Sequence, residues 1–521
     1  MKGGVSMPYA IDLFCGAGGF SEGILQAGFD ILFSSDKSPM VEETYTNRHK
    51  QLGILEGIDT HFELADIKEL TADKIFKEIN SLKYGEIFKA GDVDAIFGGP
   101  PCQGFSRLGK RDASDPRNML FHEYLRIIRD IKPKYVVMEN VTGILDMLML
   151  DFPSVLDNRI YEGQNLVKDI LKKEFIGLGY TLLDVQVLNA ANFGVPQQRN
   201  RVVFLAYRND VEAVKYPEIQ TSNYTTVYDA LGDMYDGDNA YSTDFSQQSK
   251  QGRTPDISGK VLMRNGISNM EVSRHDDIVT ERFSIYKQGE NRSKAVSRLR
   301  IEGIDLRKKF PHLFYDSLFQ INTKSNHKII QKYLLDKGLM REEFATDKWL
   351  QFTNRQLSLL FQYSIMDDKG FHKVMKSLSL RMKIDSEQTL DFWRSVSSEL
   401  NKDLSEDEYS DKLIKGKITD EMAEAIFTKK SIRVRLNGET VSPTMVTLPD
   451  DFIHPYFNRI LTVREMARLQ SFDDSFEFLG KRTTGGDKRA KETPQFTQVG
   501  NAVPPLLARA IADEVYRVLD K

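Results

Sequence analysis

Cys102 lies in residues 98–106, a segment with the sequence GGPPCQGFS, whose residue types suit a reactive side chain. Pro100 and Pro101 fix the backbone directly before the thiol, and the glycine that follows Gln103 is a candidate hinge. A free thiol has a pKa of about 8.5, so a nucleophilic cysteine needs neighbours that favour the thiolate. We therefore predict a stiff turn that presents Cys102 as a nucleophile. The alternative is a rigid turn in which the cysteine is incidental.

Glu139 follows the apolar run Tyr135–Met138, which predicts a buried strand that ends at the carboxylate. If neighbouring strands are parallel, this places Glu139 at the same edge of the sheet as Cys102. A carboxyl group there can donate a proton to a substrate or hold one in a hydrogen bond. Taken alone, a Glu after a strand is more typical of a cap for the next helix, so its catalytic interpretation depends on Cys102.

Arg199 and Arg201 occur in the sequence QQRNR at residues 197–201. In an extended chain, residues two apart point to the same side. Two guanidinium groups on one side suit the binding of a phosphate, a carboxylate or a base edge. A structural lattice of ion pairs is an equal alternative.

A glycine-rich segment, residues 12–20 with the sequence DLFCGAGGF, follows the first candidate strand. Glycines between a strand and a helix let the backbone turn tightly and approach a nucleotide-like ligand. Asp36 ends the second candidate strand, where a carboxylate would receive ribose hydroxyls, and Asp66 lies at a further strand end. Each feature alone is more typical of a turn or a cap, whereas the ordered set predicts a nucleotide site.

The first two hundred residues alternate short apolar runs with helical patterns, which predicts a parallel sheet covered by helices on both faces. An amphipathic stretch at 21–27 follows the glycine-rich segment. A ligand in such a fold lies at the carboxyl ends of the strands, near a topological switch point. The predicted strands are 9–14, 30–34, 95–97 and 135–138, with a further pairing of 180–188 with 202–207.

The sequence changes in character after about residue 208. Small polar residues are frequent at 221–260, and 295–430 has mostly helical patterns, for example at 334–350 and 389–404. A basic run between Arg292 and Lys309 favours a solvated face over a binding surface. A strand-like segment returns at 431–436, and two prolines begin an amphipathic helix at 504–519.

Composition limits the class of protein. The 521 residues are enough for two or three domains, and the net charge of −4 neither supports nor excludes a local basic surface for nucleic acid. Two cysteines exclude a disulfide framework and a four-cysteine zinc site, and we expect no metal. No apolar run approaches the roughly 20 residues of a membrane helix, and a signal peptide is not evident. A cytoplasmic protein is expected.

Together these motifs resemble the DNA (cytosine-5)-methyltransferases, of the type found in prokaryotic restriction-modification systems. The resemblance covers residues 9–207 and 456–521, and several motifs in the family's order make it specific. Its segments are FCGAGG at 14–19, Asp36, Asp66, PPCQ at 100–103, DPRNML at 115–120, ENV at 139–141, QQRNR at 197–201, RILTVRE at 459–465 and GNAVPP at 500–505.

The resemblance implies a fold, a cofactor and a set of site residues. It implies an α/β, Rossmann-like methyltransferase domain at 1–207 and 456–521 that uses S-adenosylmethionine, with a target-recognition domain inserted at 208–455. That inserted domain would contain a helical insertion at about 295–430. The implied cofactor residues are Phe14, Gly16, Ala17, Gly18, Gly19, Asp36, Lys37, Asp66, Ile67, Pro100, Asn501 and Ala502. The implied catalytic residues are Pro101, Cys102, Glu139, Arg199 and Arg201, and the candidate DNA contacts are Gln103, Ser106, Arg107, Lys110 and Arg111.

The implied reaction transfers a methyl group to C5 of cytosine in a specific duplex DNA sequence, through a covalent bond from Cys102 to C6 of a flipped-out base. The setting would be a restriction-modification or phage-defence system with a cognate defence protein. The family's tRNA-methylating branch and a non-catalytic DNA-binding subunit are the alternatives. A nicotinamide-dependent oxidoreductase has only the glycine-rich segment in its favour.

Overall fold

The computed structural model describes residues 7–101, 119–157, 159–220, 223–235, 242–263, 266–322, 384–396, 404–430, 432–484 and 492–520, with isolated positions between 328 and 399. The chain divides into two compact units. The first comprises residues 1–271, 437–449 and 461–521, and the second comprises residues 272–436 and 450–460.

A mixed sheet is the centre of the first unit. Its order is β3-β2-β1-β4-β5-β10-β8, and β9 also pairs with β10. Strands β1 to β5 are mutually parallel, and β6 and β7 form a separate hairpin. The strands are β1 (Tyr9–Leu13), β2 (Asp30–Asp36), β3 (His61–Leu64), β4 (Ala95–Gly98), β5 (Tyr135–Asn140), β6 (Leu148–Pro153), β7 (Ile160–Leu166), β8 (Tyr180–Leu182), β9 (Gln186–Asn189) and β10 (Asn200–Arg208).

The prediction of a parallel sheet is wrong at one edge, where β10 runs antiparallel to β5, β8 and β9. Short connections without a long helix join β8 to β9 and β9 to β10, and such connections suit antiparallel strands. The predicted strand at 180–188 is in fact two strands. The strand end expected at Asp66 is that of β3, whereas the β6–β7 hairpin was not predicted. The carboxyl ends of β1 to β5 still meet at one edge, as expected.

Helices occur in both units. In the first unit they begin with α1 (Gly19–Gln26), α2 (Pro39–Gln51), α3 (Ala72–Asn80), α4 (Leu120–Ile131), α5 (Val167–Gly177), α6 (Val227–Leu231) and α7 (Asp244–Gln251). The second unit has α8 (Asp277–Ile285), α9 (Arg292–Glu302), α10 (Leu306–Lys309), α11 (Pro311–Ile321), α12 (Ser386–Val396), α13 (Glu406–Ile414) and α14 (Asp420–Phe427). The first unit ends with α15 (Val463–Leu469), α16 (Gln495–Asn501) and α17 (Pro505–Leu519). None of the described helices has the length and apolarity to cross a membrane.

Two apolar clusters cover the two faces of the sheet. Successive residues of β4 and β5 alternate between them, because side chains of a strand point to opposite faces. Ile96 and Val136 join the cluster that contains Tyr124 of α4. Phe97 and Val137 join the cluster that contains residues of α1 and α17. Helices on both faces confirm the predicted Rossmann-like α/β fold.

The last helix completes one of these faces by packing closely on α1. A Cβ atom on Gly23 would lie 2.5 Å from the Cβ of Ala508, and one on Gly19 would lie 3.0 Å from the Cβ of Ala502. Distances this short leave no room for a side chain at either glycine. The C-terminal segment is therefore part of the same layer as the start of the chain.

The second unit is mostly helical around its own apolar core, which includes residues of α8, α9, α11, α13 and α14. Its predicted strand at 431–436 is only the two-residue β11 (Val434–Arg435), which pairs with β12 (Phe452–Ile453). The basic run of α9 is engaged with carboxylates: Arg298 Nε lies 2.7 Å from Glu290 Oε1, and Arg300 Nη2 lies 2.6 Å from Asp420 Oδ1. The predicted helix at 334–350 lies largely outside the described residues.

A buried arginine joins distant segments of the first unit. Arg468 is fully buried, and its Nη1 lies 2.5 Å from Asp233 Oδ1. Its Nε and Nη2 donate to the two oxygens of Asp474 at 2.9 and 2.6 Å. This pairing ties α15 to the segment that contains Asp233.

Replacing Arg468 with methionine should lower the free energy of unfolding by about 3 kcal/mol or more, because Asp474 would lose its buried partner and Asp233 would keep only Lys250, whose Nζ lies 2.8 Å from Asp233 Oδ2. Urea denaturation measures the loss. Arg517→Met is the matched control, since the Arg517 side chain is 56% exposed beside Glu514 and its loss should change stability by less than about 1 kcal/mol. Equal effects of the two substitutions would contradict the prediction.

Candidate active site

The glycine-rich turn after β1 has a left-handed backbone at three positions. The φ angle is 58° at Phe14, 53° at Gly16 and 96° at Gly18. A left-handed conformation is strained for a residue with a side chain, and such strain at Phe14 is typical of functional turns. A Cβ on Gly16 would meet no atom within 4 Å, so open space lies beside this part of the turn.

Two acidic residues lie at the carboxyl ends of neighbouring strands. Asp36 ends β2; its Oδ2 accepts from the backbone N–H of Gly16 at 3.2 Å, and its Oδ1 accepts from that of Ser38 at 2.9 Å. Burial raises the pKa of Asp36 above its usual value. Asp66 follows β3 and accepts from the backbone N–H of Lys68 at 3.1 Å. The structure thus brings Asp36 to the glycine turn, as the sequence predicted.

Two further predicted cofactor residues follow these acids directly along the chain. Ile67 is 4% exposed and joins the apolar core, whereas Lys37 is exposed. Neither position had a signal of its own in the sequence beyond the resemblance. Their side chains therefore differ in how far they are open to solvent.

Beneath the turn, Asp12 is the centre of a buried polar network. Ser21 Oγ donates to Asp12 Oδ2 at 2.5 Å and lies 2.9 Å from Tyr45 Oη. Tyr45 Oη also lies 2.5 Å from Ser34 Oγ. Burial raises the pKa of Asp12 to about 7, although the Ser21 hydrogen bond acts in the opposite direction. This network was not predicted from the sequence, because its members are far apart along the chain.

The raised pKa of Asp12 predicts a pH-dependent stability. The carboxyl of an unfolded Asp titrates near pH 4, so between about pH 4 and pH 7 the folded chain binds the extra proton, and stability falls as the pH rises through this window. Asp12→Asn removes this dependence. The stability of the variant minus that of the unsubstituted protein should therefore be roughly 2 kcal/mol greater at pH 8 than at pH 5. Urea titrations at both pH values measure this, and a difference that does not change with pH would contradict it.

The ends of β4 and β5 bring Pro100 close to Glu139. Gly98 pairs with Met138 in parallel register, and Asn140 Nδ2 donates to the carbonyl of Pro100 at 3.0 Å. A Cβ on Gly99 would lie 3.1 Å from Glu139 Oε2, so the glycine permits this approach. Pro101 is the last described residue before a gap. The predicted residues Cys102, Gln103, Ser106, Arg107, Lys110 and Arg111 lie outside the described part of the chain.

Arg201 lies directly beside Glu139. Its Nε is 2.5 Å from Glu139 Oε1, and each side chain is 11% exposed. The antiparallel pairing of β10 with β5, in which Val203 lies opposite Glu139, produces this contact. The structure therefore joins the predicted Glu139 and one of the two predicted arginines in a shielded ion pair at the carboxyl end of β5.

Arg199 has different surroundings from Arg201. It is 1% exposed, its Nη1 donates to the carbonyl of Met445 at 2.8 Å, and its Nη2 donates to the carbonyls of Gly500 and Ala502 at 2.8 and 3.1 Å. Arg199 and Arg201 therefore contact different partners, and Arg199 lies directly before β10, which begins at Asn200. Arg199 holds the C-terminal segment, and Arg201 holds Glu139.

Gln197 is a buried residue whose structural role was not predicted from the sequence. Its Oε1 accepts from the backbone N–H of Met445 at 2.8 Å, and its Nε2 donates to the carbonyl of Leu469 and to Gln470 Oε1, both at 3.0 Å. Gln470 Nε2 in turn donates to the carbonyl of Val499 at 2.8 Å. An amide serves this position because it donates and accepts at once.

The C-terminal segment brings its predicted residues to the glycine turn. Ala502 is 8% exposed and lies against Gly19, whereas Asn501 is exposed. Arg199 holds the carbonyls on both sides of Asn501. The two ends of the chain thus meet at the carboxyl edge of the sheet, beside the glycine turn.

Comparison with known proteins identifies the family of the chain. The family model of C-5 cytosine-specific DNA methylases matches residues 9–517. The type II methyltransferase M.DdeI of Desulfomicrobium norvegicum is 27% identical over 517 residues, covering 97% of this chain and 88% of that protein. M.AgeI of Thalassovita gelatinovora is 27% identical over 511 residues, covering 97% of this chain and 98% of that protein. A crystal structure of a candidate DNA modification methyltransferase, encoded within an E. coli prophage, has a similar fold: its TM-score is 0.55 at 19% identity, covering 99% of this chain and 100% of that one.

Proposed function

Because the chain belongs to the C-5 cytosine-specific DNA methylases and is a DNA cytosine methyltransferase, we propose that the reaction takes place where Glu139 and Arg201 meet the end of β4. The observation that carries this assignment is the shielded ion pair of these two residues, with Arg201 Nε 2.5 Å from Glu139 Oε1. The carbonyl of Pro100 accepts from Asn140, the residue after Glu139, and Pro100 lies two residues before Cys102 in the sequence. The proposed catalytic residues are Pro101, Cys102, Glu139 and Arg201.

The residues at the glycine turn suit S-adenosylmethionine, the methyl donor that the family implies. Open space beside Gly16 and a strained Phe14 offer a surface for a nucleoside, and a carboxylate such as Asp36 retains lone pairs for ribose hydroxyls. Asp66 and Ile67 would lie near the adenine, and Pro100, Asn501 and Ala502 would close the site. When bound, the cofactor supplies an electrophilic methyl group. Arg199 acts here as a positioning residue, through the carbonyls of Gly500 and Ala502.

The chain's own residues would activate the cytosine. C5 of cytosine is a poor nucleophile, and addition of the Cys102 thiolate at C6 gives C5 the character of an enamine. Glu139, bonded to N3 and the exocyclic amine, would stabilise the charge that develops on the ring, while Arg201 fixes its carboxylate. After methylation, loss of the C5 proton releases the thiolate.

The substrate is duplex DNA, from which the target base must be flipped out at a cost of a few kcal/mol. We propose that residues 103–111, with Gln103, Ser106, Arg107, Lys110 and Arg111, contact the DNA near the flipped base. Residues 208–455, which include most of the helical second unit, would select the DNA sequence. Relatives named type II methyltransferases favour a cytoplasmic restriction-modification system with a cognate defence protein.

Bisulfite sequencing of DNA from a bacterial host that expresses the protein tests the proposal. It should reveal modified cytosines in one short sequence, absent from a host that expresses the Cys102→Ser variant. Parallel assays with purified protein, duplex DNA and tRNA give the second test. Methyl transfer to tRNA alone would overturn the choice of substrate. If neither nucleic acid is methylated, the alternative of a non-catalytic DNA-binding subunit would be favoured.

A further inference from the structure

Residues 454–459, which we call the aromatic loop, form a closed turn in the second unit. The residues that flank it, Ile453 and Ile460, form an antiparallel bridge. At its base, the backbone N–H of His454 donates to the carbonyl of Arg459 at 2.8 Å. Pro455 further restricts the backbone. The loop is therefore closed at both ends of its six residues.

A buried histidine fills the inside of the aromatic loop. His454 is fully buried, and its Nδ1 accepts from the backbone N–H groups of Tyr456 at 3.0 Å and Phe457 at 3.1 Å. Burial, together with the nearby Arg459 and Arg435 guanidinium groups, lowers the pKa of His454 to about 2. The ring is thus neutral at physiological pH and remains an acceptor for both N–H groups.

A buried arginine holds the aromatic loop from below. Arg435 Nη1 donates to the carbonyl of His454 at 3.0 Å, and its Nη2 donates to the carbonyl of Phe283 at 2.8 Å and to Asn458 Oδ1 at 2.6 Å. Burial lowers the pKa of Arg435 to about 10, so it stays charged at neutral pH. These bonds fix the loop against α8 before any ligand arrives.

The rigid loop presents two aromatic rings to solvent. Tyr456 is 42% exposed and Phe457 is 43% exposed. The guanidinium carbon of Arg459 lies 5.2 Å from the centre of the Phe457 ring. Exposed aromatic rings in a fixed position are costly for a free surface and are common where a partner binds.

The polar groups of the loop point to the chemistry of that partner. Since Asn458 Oδ1 is bonded to Arg435, the group of Asn458 that remains for a ligand is its Nδ2, a donor. Arg459 also carries only donors, and its Nη1 donates to the carbonyl of Ile460 at 2.9 Å. A surface of two rings and two donors suits flat faces that are rich in acceptors and negative charge, which are the properties of nucleic acid.

We propose that the aromatic loop binds the DNA substrate, with Tyr456 and Phe457 against bases or sugars and with Asn458 Nδ2 and Arg459 donating to base or phosphate oxygens. The proposal rests on the proposed function and adds a contact outside the catalytic and cofactor residues. Because Arg435 and His454 fix the loop in advance, DNA binding would lose little conformational entropy there.

The test uses the full-length protein, S-adenosylhomocysteine and a labelled, unmethylated duplex that carries the target sequence found by bisulfite sequencing. A Tyr456→Ala/Phe457→Ala double variant should bind this duplex roughly 10-fold or more weakly, while its thermal midpoint and its Kd for S-adenosylhomocysteine stay unchanged. Asn458→Asp, which keeps an acceptor for Arg435 but replaces the outward donor with an anionic oxygen, should also weaken binding. Ile176→Ala is the control, since Ile176 is 58% exposed and lies outside residues 208–455, and it should bind DNA normally.

Each other outcome overturns the proposal. Unchanged DNA affinity in the double variant would assign the rings to another partner, such as an acidic protein surface. A lower thermal midpoint in the double variant with normal DNA binding by Asn458→Asp would assign the loop to packing. An equal loss of affinity in Ile176→Ala would make the effect unspecific. If the unsubstituted protein binds cofactor product but no duplex DNA, the proposed function itself fails.

Discussion

Replacing Cys102 with serine is expected to reduce methyl transfer to duplex DNA by on the order of 10⁴-fold or more, because a hydroxyl is a far weaker nucleophile than a thiolate. The measurement is the incorporation of labelled methyl groups into the duplex. DNA with 5-fluorocytosine at the target position gives an independent readout. A fluorine at C5 cannot leave as a cation, so the unsubstituted protein should remain covalently attached and the Cys102→Ser variant should not.

Cys15 provides the matched control, because it is the other of the two cysteines. Its side chain is buried, and burial raises the pKa of Cys15 well above its usual value, so it is a poor source of thiolate. Cys15→Ala should therefore still form the covalent complex. Attachment that persists in Cys102→Ser, or that is lost only in Cys15→Ala, would refute the assignment of Cys102.

Replacing Glu139 with glutamine is expected to lower the single-turnover rate of methyl transfer by about 10²- to 10⁴-fold. The amide has almost the same shape, but it lacks the negative charge that faces Arg201 Nε at 2.5 Å. It would neither stabilise a cation on the cytosine ring nor hold a proton there. The Kd for S-adenosylhomocysteine should be unchanged, since Glu139 is not among the proposed cofactor residues.

A double-mutant cycle with Arg201→Met makes the Glu139 prediction sharper. If Arg201 acts by fixing the Glu139 carboxylate, the two substitutions remove the same interaction, and the double variant should be little worse than Glu139→Gln alone. Independent, additive losses would show that Arg201 acts on the substrate without Glu139. A Glu139→Gln variant with normal rates would remove Glu139 from the catalytic residues altogether.

The sequence predicted those parts of the fold that depend on local patterns. The apolar runs of β1, β2, β4 and β5 and the two prolines at the start of α17 predicted these elements to within a few residues. The direction of β10 was not predictable in this way, because strand pairing is set by contacts between distant segments. The β6–β7 hairpin was missed for a related reason: its exposed face carries leucines, including Leu150 at 52% exposure, which disturb the alternating pattern.

The candidate site was predictable where one residue type suffices for a role. Glu139 and Asp36 lie at strand ends, as a carboxylate at such a position indicated. Arg199 and Arg201 show the limit, because their identical side chains have different partners that only the returning C-terminal segment and β5 supply. The network around Asp12 was hidden for the same reason, since Ser21, Ser34 and Tyr45 look like ordinary polar residues in the sequence.

The close packing of α17 on α1 has a consequence for synthesis on the ribosome. The strands and α1 leave the ribosome long before α17, so the apolar face around Phe20 and Ile24 stays uncovered until α17 has been translated. Until then the nascent chain also lacks Asn501 and Ala502 beside its glycine turn. A polypeptide that is released before residue 501 would therefore lack these residues and should not methylate DNA.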